Sequence, residues 1–145
     1  MRDPRHLEVC DLATDLAELT YVVTRGFPPD ERFGLVAQMR RAAISVGSNI
    51  AEGCGRGTDR AFVSFVQIAA GSVVELEYQP EIALRLGFGD PSRIAELRTA
   101  TDLLKRKLVS LMNAVRRRKA NAVPISEARS ADAPHKRAAQ RPRAP

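Results

Sequence analysis

Apolar residues recur every three or four positions through most of the first 115 residues, the spacing of α-helices that each bury one face. Val9, Leu12, Leu16, Leu19 and Val23 form a first seam, which Gly26 ends. Asp3-Pro4 reads as its start: an Asp cap, then Pro where a missing N–H loses no bond. After Pro28-Pro29, Asp30 and Glu31 are expected in the first turn of a second helix, where the dipole favours anions. Its seam is Leu35, Met39, Ala42, Val46 and Ile50, and Gly53, Gly55 and Gly57 are expected to break the chain. Thr58 or Asp59 caps a third helix with the seam Phe62, Phe65, Ala69, Ser72, Leu76, Ala83 and Leu86, closed by Gly87 and Gly89. Asp90-Pro91 repeats the first opening, and Ile94, Leu97, Thr101, Leu104, Leu108, Leu111 and Val115 follow as the most regular seam of the chain.

No segment alternates apolar and polar residues as a half-buried strand does. Short connections between long helices make neighbours antiparallel, so the expected fold is all-α, an up-down-up-down antiparallel four-helix bundle. Pro80 interrupts the third pattern, because it removes the bond to the Leu76 carbonyl and clashes with it. The seam keeps its phase from Leu76 to Ala83, which favours a kinked helix over a split one.

Charge divides the chain. The net charge is +6, yet residues 1–115 hold 14 Lys/Arg against 15 Asp/Glu. Residues 116–145 hold nine Lys/Arg against Glu127 and Asp132, together with four of the nine prolines and none of the nine glycines. Residues 1–118 are therefore read as the bundle, and residues 119–145 as a disordered basic tail too poor in large apolar residues to fold. Aromatics are only 5% of the sequence, so the core must be aliphatic. No run approaches 18 consecutive apolar residues, and the first fifteen residues carry acids where an export signal needs an apolar stretch, so a cytoplasmic protein without a membrane partner is expected. Cys10 and Cys54 read as reduced thiols. With only His6 and His135 besides, neither a metal site nor a cofactor is expected.

The second helix carries a further pattern. Gln38, Arg41, Ser45, Asn49 and Glu52 follow at spacings of 3, 4, 4 and 3, one stripe of a helix. Its hydroxyl and two amides suit specific hydrogen bonds better than solvation. Ser72 and Glu75, next to Gly71 with its closer backbone approach, are the expected partners. The stripe reads as a structural polar network inside the bundle or at a subunit interface, where every member needs its partner. Arg41 is assigned to Glu52 or Glu75.

Catalytic chemistry has little to stand on. Ser72 lacks the Gly-x-Ser-x-Gly elbow and falls mid-helix. Gly53-Cys54-Gly55-Arg56-Gly57 lacks the full phosphate-loop fingerprint and its preceding strand. Arg56 would lower the pKa of Cys54, but no His stands near it in sequence. No enzyme is expected. Two basic surfaces are candidates for binding an RNA or DNA backbone. One is Arg40, Arg56 and Arg60, near the turn between the second and third helices, with Arg40 and Arg60 facing out. The other is Arg116, Arg117, Arg118 and Lys119 at the end of the fourth helix. No aromatic lies between Arg116 and Pro145, so binding by counterion release with little sequence preference is expected.

The run FPPDERFGLVAQMRRAAISVGSNIAEGCGRG, residues 27–57, resembles the signature of the bacterial four helix bundle protein family, whose founding members are encoded in intervening sequences of 23S rRNA genes. FVSFVQIAAGSVVELEYQPEIALRLG, residues 62–87, and LEVCDLATDLAELTY resemble its other segments, so that residues 6–110 are covered. The resemblance implies a bundle that assembles into a homopentameric ring, which would present the basic tail five times. A related branch, the accessory variability protein of diversity-generating retroelements, implies the alternative of a protein-interaction scaffold serving a reverse transcriptase. Cys10 departs from the larger aromatic usual there, Pro80 from a helix former, and the tail lies outside the family pattern.

Overall fold

A computed structural model describes residues 2–122. Four helices follow one another: α1 (Glu8–Thr24), α2 (Leu35–Gly55), α3 (Asp59–Arg85) and α4 (Pro91–Asn121). Each packs against its neighbours in sequence, and α4 returns to α1, while the diagonal pairs do not meet. The result is an up-down-up-down antiparallel bundle with one aliphatic core. Leu16, Met39, Ile50, Phe62, Leu76, Ile94, Leu97, Leu104 and Leu108 are fully buried in it. The expected disorder of the tail falls mainly on residues 123–145, which lie outside the described residues; α4 itself runs three residues past the expected bundle end at 118.

The helix starts need correcting. Asp3 does cap a turn, by accepting from the Arg5 N–H, but that turn is a short 3-10 segment, Pro4–His6, and α1 begins only at Glu8. Asp30 and Glu31 likewise sit in a separate 3-10 segment, Pro29–Arg32. From there the Glu31 carboxylate reaches across to accept the Leu35 N–H at 3.0 Å, so the acid serves α2 from outside it. Both errors share one cause: an acid beside Pro satisfies the first turn of a 3-10 helix as well as that of an α-helix.

The glycines of the α2 end are corrected too. Gly53 and Gly55 lie within α2 and do not break it. Gly53 is buried against α3, where an added Cβ would stand 2.9 Å from the Phe65 Cβ and 3.3 Å from the Phe62 ring. Glycine here brings two helices together. The opposite holds for Gly71, which has open space where its Cβ would be. In α1 the seam turns slightly: Ala13 and Thr20 are buried, while Leu12 and Leu19 are half-buried. Leu86, expected in the α3 seam, is exposed. α3 runs unbroken through a buried Pro80, so the helix does not split.

The α3–α4 turn shows why it needs its glycines. Gly87 at φ +72° lets the Phe88 N–H reach the Ala83 carbonyl at 2.8 Å and its own N–H reach the Leu84 carbonyl at 3.1 Å. That pair of bonds satisfies the last carbonyls of α3. Gly89 at φ +73° leaves room for the Phe27 ring, which would lie 2.7 Å from a Cβ. Phe27 and Phe88 pack as a tilted pair, 6.1 Å between centroids, and close this end of the bundle.

α3 departs from one further expectation. By length and composition alone it is apolar enough to cross a membrane, although it contains no uninterrupted apolar run. Ser64, Gln67, Gly71 and Ser72 interrupt the run, while the Val, Ile, Phe and Ala around them keep the average high.

Candidate nucleic-acid interface

Antiparallel packing sets the α2–α3 turn, the start of the chain and the last turns of α4 at one end of the bundle. The two basic surfaces expected from sequence thereby become largely one. Arg60, Arg116 and Lys119 line a groove of about 270 Å³ between the first turns of α3 and the last turns of α4. Val63 and Val115 form its floor, with Ser64, Gln67 and Asp59 beside them. A second, more open depression next to it is lined by Arg2, Arg56, Gly57, Asp59, Arg118, Lys119 and Ala122. Arg117 points away, into a shallow depression with Lys105, Arg106, Val109, Ser110 and Asn113 on another side of α4.

These cations fall into two groups. Arg2 pairs with Asp59, stacks 4.1 Å over the Phe62 ring and donates its backbone N–H to the Cys54 carbonyl at 3.1 Å. Arg56 pairs with Glu52 one turn back on α2 and stacks 4.9 Å over Phe65. Both are held in place. Arg60, Arg116, Arg118 and Lys119 have no ion-pair partner among the described residues and are exposed. They project charge into solvent over a base whose own charges are neutralised. Arg2 was missed by sequence reasoning, since nothing near it in sequence signals that the chain start folds back onto Cys54.

Arg40 and Arg41 exchange the positions expected of them. Arg40, expected to face out, is half-buried: its Nε donates to Thr24 Oγ1 at 2.9 Å, and its guanidinium lies 4.4 Å over the Tyr21 ring. Arg41, expected inside with Glu52 or Glu75, is exposed and has no ion-pair partner among the described residues. One residue is a turn of about 100° on a helix, and the seam phase was not fixed that finely.

The polar stripe contracts in the same way. Its centre is a real network: Ser72 Oγ donates to Ser45 Oγ at 2.9 Å, joining α3 to α2. The Asn49 amide then donates to Ser45 Oγ at 3.0 Å and to the Ser45 carbonyl at 2.8 Å. Gln38, Arg41, Glu52 and Glu75 are exposed and stand outside it. Within one copy, the α2–α3 contact thus joins three of the seven residues of the expected network by hydrogen bonds.

The thiols are inert by environment. Burial outweighs the favourable charge of Arg2 and pushes the Cys54 thiol up, the reverse of the lowering expected from Arg56. Burial, with the neighbouring Cys54 and Asp11, pushes Cys10 up to about 11. A nucleophilic cysteine needs the opposite shift. Among the described residues, no three His, Cys, Asp or Glu side chains come together as a metal site would need.

A solved protein of unknown function from the S23 ribosomal protein family of Bacteroides thetaiotaomicron has the same fold. It is similar to this chain with a TM-score of 0.63 at 20% identity, over 72% of this chain and 97% of that one. No curated protein matches. The family described as 23S rRNA-intervening sequence protein matches residues 5–110, a span from the first 3-10 turn through the groove-forming start of α3 and most of α4, and the chain belongs to that family.

Proposed function

We propose that this protein is a non-enzymatic, cytoplasmic, self-associating bundle that binds the backbone of RNA or DNA without reading its sequence. The observation that carries the reading is the convergence of Arg60, Arg116, Arg118 and Lys119, unpaired, on one end of the bundle. Four phosphate contacts from these residues would release about four counterions per copy. Exposed, unpaired cations suit phosphate oxygens, whose contacts position a strand without specifying its sequence. In sequence, Arg129, Lys136, Arg137, Arg141 and Arg143 follow α4 and add to the chain's positive charge. A five-membered ring, as the family resemblance implies, would array five such ends side by side.

The test is a fluorescence titration of two labelled duplexes of unrelated sequence, in RNA and DNA form, at several salt concentrations. Equal affinities for the two sequences are expected, falling by about two orders of magnitude between about 50 and 200 mM salt for four contacts. Affinity that ignores salt would contradict backbone binding. No binding of either duplex at low salt would favour the accessory-scaffold alternative, in which a protein partner such as a reverse transcriptase does the chemistry.

A further inference from the structure

The groove between α3 and α4 is shaped for more than charge. Arg60, Val63, Ser64 and Gln67 share one face of α3, while Val115, Arg116 and Lys119 share one face of α4, so that each helix gives one wall. The cations are exposed and the two valines beneath them are buried. Phosphates alone need no hollow: Arg118 offers its charge beside the groove without one. A volume of about 270 Å³ falls just short of what a drug-sized ligand fills, and suits a single flat ring system.

The polar side chains of the groove narrow the choice. Asp59 is paired with Arg2, and Ser64 Oγ donates to the Arg60 carbonyl at 3.1 Å. Gln67 is exposed and has no hydrogen-bond partner among the described residues. An apolar floor, one free amide and three unpaired cations at the rim match the parts of one nucleotide: a ring, its polar edge and its phosphate. In a duplex that ring is stacked and paired inside, and only the backbone meets the rim. In a single strand it is free to turn out.

We infer that this groove seats an unpaired base, and that single strands are therefore the preferred nucleic acid. The inference rests on the backbone binding proposed above and names the form of strand it takes. Arg60 and Arg116 bring guanidinium planes to the two walls, and such planes stack on the face of any base. The Gln67 amide turns to present either a donor or an acceptor, so that every base fits and sequence stays unread.

Fluorescence titration of the full chain with a labelled oligothymidylate, an abasic strand of the same length and a duplex tests it. The oligothymidylate should bind about tenfold more tightly than either of the others. The two single strands should share one salt slope, since they carry the same phosphates. Ser64→Leu, which fills the hollow without removing a charge, should lower oligothymidylate affinity to that of the abasic strand. Ser64→Ala, which leaves the hollow open, should not, and circular dichroism should show both variants helical. Salt-dependent binding that is equal for all three probes would overturn the base seat and leave backbone binding standing. No binding of any probe at low salt would remove both. A preference for oligothymidylate that survives Ser64→Leu would overturn the assignment to this groove. Polyglutamate that displaces the oligothymidylate more readily than the abasic strand does would give the groove to an acidic protein segment instead.

Discussion

The two ends of this bundle are built on opposite terms. At the α3–α4 turn, two glycines of positive φ and the Phe27–Phe88 pair close the core, and Asp90 caps α4 by accepting from Ser92. At the other end, the core stops at Val63 and Val115, and cations stand above it with only two of them neutralised. The closed end is built of contacts that contribute stability. The open end places like charges close together, which opposes folding through self-repulsion. A protein keeps such an arrangement where something anionic relieves it. The contrast supports the proposed binding end better than the net charge does, since the same charges spread over the surface would single out no end.

If the closed end serves stability alone, changes there should be large in stability and silent in binding. Gly89→Ala combines a left-handed backbone with a Cβ against the Phe27 ring, and should destabilise by about 2–4 kcal/mol in a denaturant melt. Salt-dependent binding measured well below its melting point should be unchanged, and a parallel loss of binding would break the comparison. Gly53→Ala, near the open end, should cost about 1–2 kcal/mol. Its Cβ meets Phe65 and Phe62, and the roughly 1 kcal/mol gained in helix propensity offsets part of that overpacking. Ser72→Ala should cost about 1 kcal/mol through the lost bond to Ser45, leaving Asn49 as that hydroxyl's remaining partner.

The smallest expected effect concerns Cys10. Its thiol, pushed up to about 11, should alkylate at pH 8 on the order of a hundredfold more slowly than an ordinary cysteine. The folded state holds that proton more tightly than the unfolded chain does. The corresponding stability is therefore complete below the ordinary thiol range and is lost as pH rises towards 11. Alkylation at the rate of a free thiol would mean that α1 does not seat Cys10 as described.

The existence and order of the helices were legible because each seam repeats over several turns. Their starts were not, since Asp3-Pro4 and Pro29-Asp30 suit a 3-10 turn equally well. The polar stripe was legible as a stripe, but only Ser45, Asn49 and Ser72 fall where α2 and α3 touch. Arg40 and Arg41 differ by one helical step, too fine a distinction for a seam defined by small residues such as Ala42 and Ala43. The merging of two basic clusters into one surface required the antiparallel topology and the length of α4 together. Arg2 carried no local signal at all.

The most direct measurement is the salt dependence of duplex binding for the full chain and for the variant Arg60→Glu, Arg116→Glu, Lys119→Glu. The variant should stay folded with a melting temperature within about a few degrees of wild type, because relief of the repulsive cluster opposes the cost of acids near the C-terminus of α4. Its slope of log affinity against log salt should fall by about three, one for each phosphate contact removed. An unchanged slope with unchanged affinity would contradict the assignment of nucleic-acid binding to the folded end of the bundle.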